Sequence, residues 1–485
     1  MVKAKNNPLR GQTVIEIVIA IGILAIVFAS AALALFSNTS ILTDKKLSSE
    51  AESYASEGIE AVKTIAKRDW TAIMNGNYGL VLDGNEWLFS TSTDMRGIFT
   101  RVINVSSTQN DEIKTIQSLV SWNQGLSPRK LQISLTLKLT DWESVVDSGG
   151  DTGGTGTIPD WSNPRTLGSV DLGAGVSGED LDVISKIVYI TGTASDKKKN
   201  DFFIVDASSG QSPTFLSLTD TGPGLKSLDV AASYAYAARD DANTQLQIID
   251  ITNASAPTTT ANFALPGIGG AGAKANAVYY RNDRVYVGTK AANGPEFHIV
   301  DVTMRQSPAS LGSKEVGYDV NGIHVRGGRA YLATSDDNEE VKIYNINDPT
   351  NIVKVGAWNA TGTLDGASIL AVGNKLYLGR LGDSNSINHE FIILDISNLN
   401  NITILGSKNL DTDVNDFRVR DDLAFLGTSS ANEEFQIYDI SDPINITFRS
   451  SFNFPQIARG VDYEDNLVYV AVRSNDALRI ITSQQ

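Results

Sequence analysis

Seven short segments, FFIVD, LQIID, FHIVD, VKIYN, FIILD, FQIYD and LRIIT, end on Asp206, Asp250, Asp301, Asn345, Asp395, Asp439 and Thr482. Acid oxygens are what calcium takes, so a repeated carboxylate is the first place to look for chemistry. A polar residue at the same strand end in every copy has a simpler explanation. Its oxygen accepts from a backbone amide two residues on and stabilises a turn. On that reading no metal and no other cofactor is expected. DDAN (Asp240 to Asn243) and DDNEE (Asp336 to Glu340) lack EF-hand spacing and read as solvated acidic turns.

The remaining catalytic vocabulary is thin. The three histidines, His298, His324 and His389, are far apart and form no HExxH pair. There is no cysteine, which removes thiolate nucleophiles, thiolate metal sites and disulfides. No GxSxG or phosphate-loop pattern is present, and the chain reads as a non-enzyme. The net charge of −16 comes with no basic cluster, so nucleic acid is not an expected partner.

One more carboxylate stands out. Glu16 is the sole charge between Val14 and Phe36, a run long enough as a helix to reach across the roughly 30 Å of a bilayer core. Lys3, Lys5 and Arg10 precede it, a flank that favours a cytoplasmic amino terminus. A signal peptide cut near ASAALA (Ala29 to Ala34) and a plain membrane anchor are alternatives. An acid at the centre of a membrane helix costs about 2.5–3.5 kcal/mol, so a retained one calls for a partner.

Gly11, Gln12 and Glu16 set the acid at the fifth position after a Gly-Gln junction, and here the chain resembles the type IV prepilin family. The resemblance implies cleavage between Gly11 and Gln12 by a prepilin peptidase and methylation of the new terminal amine. It also implies a filament-assembly role for Glu16 against the amine of the next subunit. Gln12 stands where that family commonly has phenylalanine. The partners implied are other pilin subunits, and the cytoplasmic membrane before assembly.

Past Phe36 the helix pattern turns amphipathic, with Leu47, Ala51, Tyr54, Ala55, Ile59, Val62, Ile65 and Ala66 at spacings of three and four. Strands are predicted at Ile98–Val105, Ile116–Trp122 and Leu131–Leu139, a small antiparallel sheet similar to the globular part of pilins. DSGGDTGGTGTIPDW (Asp147 to Trp161) reads as a flexible connector.

Ahead of each IVD-type segment lies a second strand with an aromatic: Tyr189, Tyr236, Tyr286, Tyr331, Tyr377, Phe425 and Tyr469. A unit of 43 to 51 residues with several short strands is the mark of a β-propeller. The units are similar to the LVIVD-type repeat of bacterial and archaeal surface proteins. The last unit lacks a fourth strand, while SNPRTLGSVDL (Ser162 to Leu172) has that pattern ahead of the first unit, so the two are expected to pair and close the ring.

The expected fold class is multidomain: a long amino-terminal α-helix with a small antiparallel pilin-like sheet (α+β), followed by an all-β seven-bladed propeller. The expected domains are a leader at 1–11, a pilin-like domain at 12–146 (helix 12–66, sheet 70–145), a linker at 147–161 and the propeller at 162–485. The expected function is a type IV pilus subunit displaying a propeller for adhesion or binding of an unknown extracellular ligand. A membrane-tethered propeller enzyme and a type II secretion pseudopilin are the alternatives. The expected location is the cytoplasmic membrane as a single-pass precursor, then the extracellular pilus at the cell surface.

Overall fold

The computed structural model describes residues 14–68, 73–83, 86–90, 92–107, 113–123, 130–140, 160–194, 199–382, 388–474 and 477–483. Within the helix, side chains are described at 21–30 and 45–66. Gly11 and Gln12 lie outside the described residues, as does the side chain of Glu16, and so does nearly all of the expected linker. Contacts divide the chain into two compact units, one made of Met1–Lys67, Ala72–Ser106 and Lys114–Leu139, the other of Arg68–Thr71, Ser107–Ile113 and Thr140–Gln485.

In the first unit α1 runs from Val14 to Arg68. Its carboxy-terminal half is amphipathic, and Ala51, Tyr54, Ala55, Ile59, Val62 and Ile65 are all buried. They face a five-stranded sheet in the order β1 (Gly76–Tyr78), β5 (Phe99–Ser107), β6 (Ile113–Asn123), β7 (Lys130–Thr140), with β4 (Asp94–Arg96) beside β5; β2 (Leu80–Asp83) and β3 (Glu86–Phe89) form a separate hairpin. Gly58 lets the helix approach closely, because a Cβ there would lie 2.7 Å from the Ser118 hydroxyl and 3.0 Å from Arg101. Tyr54 is held between the guanidinium groups of Arg96 and Arg101, 4.4 and 4.1 Å from its ring centre, and its hydroxyl donates to Asp94. Burial, then the bond to Asp94, pushes the Tyr54 hydroxyl up to about 12.

Two expectations need correction. The described chain is nearly all β, with one α-helix and one short 3-10 turn against many strands, mostly in four-stranded sheets, so the α+β pilin-like fold class does not stand. The physical reason is that a helix lying on a small sheet is a generic way of burying one face of each, and by itself specifies no family. The membrane and pilus location is corrected as well: among the described residues no helix is long and apolar enough to cross a membrane. The apolar stretch with described side chains, 21–30, spans only about 15 Å. From Lys45 onward charged residues recur at nearly every turn.

The second unit is built of seven four-stranded antiparallel blades. Their first strands are Val176–Ile184, Leu225–Ala231, Ala275–Arg281, Val320–Arg326, Gly366–Val372, Val414–Arg420 and Ala458–Glu464. Successive first strands pack on one another in a ring around a central axis. Several first-to-second turns have two consecutive left-handed residues, such as Asn282 and Asp283 or Asp465 and Asn466, the hairpin geometry that matches strand twist. The seventh blade takes its fourth strand from ahead of the first: β8 (Arg165–Val170) pairs with Leu478–Thr482, and the ring closes without an open edge between its ends.

Trp161 fixes this closing segment. It is fully buried between the sixth and seventh blades, 5.1 Å from the Phe425 ring and 6.4 Å from Tyr463, and its carbonyl accepts from the Ser450 hydroxyl at 2.5 Å. Asp160 takes Arg449 at 2.8 Å beside it. On the outer strands Gly168, Gly312 and Gly406 lie directly under the carbonyls of Gly210, Pro349 and Pro443 in the next blade's turn, which leaves no room for a Cβ.

Candidate functional site in the central channel

The repeated acids come first, because they are the most regular chemistry in the sequence. Asp206, Asp250, Asp301, Asn345, Asp395 and Asp439 each accept from the backbone amide two residues on, at 2.8 to 3.0 Å. Each is a turn cap at a strand end, and Asn345 does the same work without a charge. The Ser208 and Ser441 side chains, then the backbone amides, hold Asp206 and Asp439 below the usual carboxylate range, and the Ser397 amide, then its side chain, does the same for Asp395. The two acidic turns are bonded rather than merely solvated. Asp336 and Glu339 hold Lys342 at 2.5 and 3.0 Å, and Asp241 accepts from Asn243 and Thr244. Among the described residues no group of three or more histidines or acids is placed to hold a metal ion.

The axis is different. Each first strand is the inner edge of its sheet, so alternate amides have no ladder partner there. Opposite the repeated aromatics the seven first strands place Asp182, Asp229, Tyr279, His324, Leu370, Arg418 and Asp462. Side chains at this level reach across to the neighbouring blade's free amides. Asp182 accepts from Val230, Asp229 from Tyr280, and Asp462 from Val183, at 2.7 to 2.8 Å. His324 Nδ1 accepts from Ala371 at 3.3 Å in the same way. Two residues away, Asp180 accepts from Leu228 and Asp416 from Val461. At the far end Glu464 takes the amides of Ser185 and Lys186, while Arg281 donates to the Val325 carbonyl and Arg326 to that of Gly373.

These bonds have an energetic reason. A buried amide left unpaired costs about 1–3 kcal/mol, and seven inner edges present many of them. A carboxylate reaching from the next blade satisfies the amide and links the two blades together.

The electrostatics follow from crowding. Arg418 Nε lies 3.1 Å from Asp462 and its NH1 3.3 Å from Asp416, and the surrounding acids hold its guanidinium more firmly protonated than usual. Burial, then the neighbouring Asp416, pushes the Asp180 carboxyl up to about 7. Burial, then Asp462 and Asp229, raises Asp182 well above the ordinary carboxylate value, and Asp416 is raised by burial. His324 is buried and pushed down to about 3, first by burial and then by Arg281, Arg326 and Arg418, so it stays neutral. The axis is therefore acidic on blades seven, one and two, and lined by Tyr279, His324 and Leu370 on blades three to five.

The histidines are not brought together. His298 sits in a third strand with its Nε2 2.7 Å from the Pro295 carbonyl, and burial lowers it to about 4. His389 Nδ1 bonds the Ser407 hydroxyl at 2.6 Å near an outer strand. Only His324 reaches the axis.

Sequence reasoning missed a second set of acids. The residue just before each third strand is Asp201, Gln245, Glu296, Glu340, Glu390 or Glu434 in the first six blades, and all are buried. Asp201, Gln245, Glu296, Glu390 and Glu434 accept backbone amides from the segment leading into the next blade. Glu340 holds Arg380 at 2.5 Å in a fully buried pair. The signal was visible as an acid or Gln one residue ahead of the IVD-type segment.

Comparison with known proteins agrees with the ring. Residues 226–264 and 386–409 match the LVIVD repeat. No protein with a curated description matches the chain. Among solved structures, Raptor of Chaetomium thermophilum is 10% identical with a TM-score of 0.51 over 67% of this chain and 30% of that one. The WD40 propeller domain of Doa1 is 9% identical with a TM-score of 0.49, over 67% and 98%. BamB of Moraxella catarrhalis is 13% identical with a TM-score of 0.40, over 62% and 80%. The family match lies wholly in the repeats and carries no prepilin signature. At such identities the likeness concerns fold alone. The chain carries a seven-bladed β-propeller with LVIVD repeats.

Proposed function

We propose that the chain is a binding protein, not an enzyme, in which the propeller is the recognition head and α1 an assembly element. One observation carries this reading: the axial carboxylates Asp180, Asp182, Asp229, Asp416 and Asp462 each accept a neighbouring blade's amide. Groups engaged in holding the ring shut are poorly placed to act as general bases.

The finer form of the reading is a type IV pilin-like subunit, processed between Gly11 and Gln12 by a prepilin peptidase, with Glu16 matched to the next subunit's terminal amine. A specific observation favours it over a lone binding protein. Residues 21–30 of α1 are exposed on every side, with Ile21, Ile23, Leu24, Ile26, Val27 and Phe28 all more than half accessible. An apolar helix exposed all round calls for cover, and a bundle with other copies supplies it.

Mass spectrometry of the mature protein tests this. A new amino terminus at Gln12, methylated or not, is the expected result. An end after Ala31 or Ala34, or an intact Met1, overturns the subunit reading and leaves the binding propeller to be tested by itself.

A further inference from the structure

β7 ends the order β1-β5-β6-β7, so among the described residues one of its edges has no strand beside it. With β6 it is the longest strand of the described chain, eleven residues without Gly or Pro. Native edges are usually kept short, bulged or heavily charged, because a long regular edge templates pairing with another chain. The side chains of β7 make the contrast sharper. Leu131, Ile133, Leu135, Leu137 and Leu139 share the face turned to α1, yet all five are only half-buried. Leu131, Ile133 and Leu135 reach the cluster around Ala51, Tyr54 and Trp122, whereas Leu137 and Leu139 do not. The apolar layer runs to the edge of the sheet and stops half covered. On the opposite face Gln132, Ser134, Thr136 and Lys138 are exposed.

We infer that β7 pairs antiparallel with β7 of a second copy of this chain, joining two five-stranded sheets across a twofold axis at Leu135. A twofold interface must be self-complementary, and the strand satisfies that condition residue by residue. Leu135 faces the partner's Leu135, Ile133 faces the partner's Leu137, and Leu131 faces the partner's Leu139. Every pair on the buried face is aliphatic. On the open face Ser134 meets the partner's Thr136 and Gln132 meets the partner's Lys138, so no like charges stand opposite. Centring the pair on Ser134 instead sets Lys130 against the partner's Lys138 twice, and a slip of one residue turns aliphatic side chains to the wrong face. Centring on Ile133 or Thr136 avoids that clash but leaves aliphatic residues at one end of each strand unpaired, so the Leu135 register is the one that overlaps all eleven residues of both strands. The inference does not depend on the recognition or filament role of the chain.

The absence of native cysteine makes register directly readable. Gln132→Cys and Lys138→Cys, both at exposed positions, are made separately in the full chain and oxidised alone and as a mixture. Leu135→Cys is oxidised alone. Opposite pairs alternate between a wider hydrogen-bonded kind and a closer kind that suits a disulfide. The central pair and the 132/138 pair are of different kinds, so at least one is the closer. The expected result is a linked dimer of Leu135→Cys, or a linked species in the Gln132→Cys and Lys138→Cys mixture at about ten times the yield of either alone. Copies gathered by α1 without strand pairing would link equally alone and mixed. That outcome, no linkage by variants that keep a wild-type circular dichroism spectrum, or linkage to a different protein, overturns the inference.

Discussion

Replacing Trp161 by alanine tests the account of ring closure. Trp161 is among the largest fully buried side chains of the described residues, packed against Phe425, Tyr463 and Phe454 between the sixth and seventh blades just ahead of the closing strand. Truncating a buried Phe or Trp to alanine costs about 3–5 kcal/mol, part in lost transfer energy and part in the cavity left behind. Unfolding entropy near 60 °C is about 2.1 cal/mol/K per residue, so a propeller of roughly 320 residues loses about 0.7 kcal/mol of stability for each degree of heating near its midpoint. The melting midpoint should then fall by about 4–7 °C. The loss should also be local. Trp161 stands four residues ahead of β8, so amides of β8 and of Leu478–Thr482 should exchange faster than those of the third and fourth blades. Calorimetry on the full chain gives the first quantity and hydrogen exchange read by mass spectrometry gives the second. A midpoint within about 1 °C of wild type, or faster exchange spread evenly over all blades, would refute the idea that this side chain latches the ring.

Two further outcomes are expected. Gly406→Ala places a Cβ against the Pro443 carbonyl and should cost about 1–3 kcal/mol in urea titrations, whereas Gly269→Ala, which meets nothing within 4 Å, should change stability by less than about 0.5 kcal/mol. Acid in the axis should also make stability depend on pH. Asp180, with a folded value of about 7, and Asp182 and Asp416, also raised, keep their protons in the fold after the unfolded chain has lost them. Their contribution is complete below about pH 4 and is lost as pH rises through about 7, so the midpoint should be higher at pH 5.5 than at pH 8. Asp180→Asn should flatten that slope, and an unchanged slope would show that the carboxyl is not the group responsible.

How much of this was legible in the sequence depends on whether identity or only position repeats. The turn residues nearly repeat as letters, Asp in five blades and Asn345 in a sixth, so one mechanism could be read from the sequence. The closing strand was legible for the same reason, since TLGSV at 166–170 copies SLGSK and ILGSK of later blades. The axial set was not. Asp182, Asp229, Tyr279, His324, Leu370, Arg418 and Asp462 are equivalent positions occupied by five residue types, and only pairing to the repeated aromatic aligns them. The pilin-like fold class failed for another reason. Gly11, Gln12 and Glu16 bear on processing and assembly, and say little about which sheet follows the helix. The amphipathic half of α1 was read correctly because burial of one helical face is a local property, visible in spacings of three and four.

The axial network also bears on where the proposed recognition would lie. A propeller whose first strands carried only small apolar side chains would leave inner-edge amides facing the axis, free for a ligand or for water to take up. Here Asp462 bonds Val183 across the very junction at which the ring is closed, and Glu464 takes two more amides of the same turn. The closing junction is thus held on its inner side by carboxylates and on its outer side by β8, whose Gly168 lies under the Gly210 carbonyl of the first blade. Removing charge from the axis should loosen this junction before it alters any surface that a partner touches. Variants of Asp462 or Glu464 are therefore expected to lose stability and binding together, whereas variants of recognition residues on the faces of the ring should lose binding alone. On the binding role proposed above, that division would make the axis a structural element and direct the search for a ligand to the exposed loops of the ring.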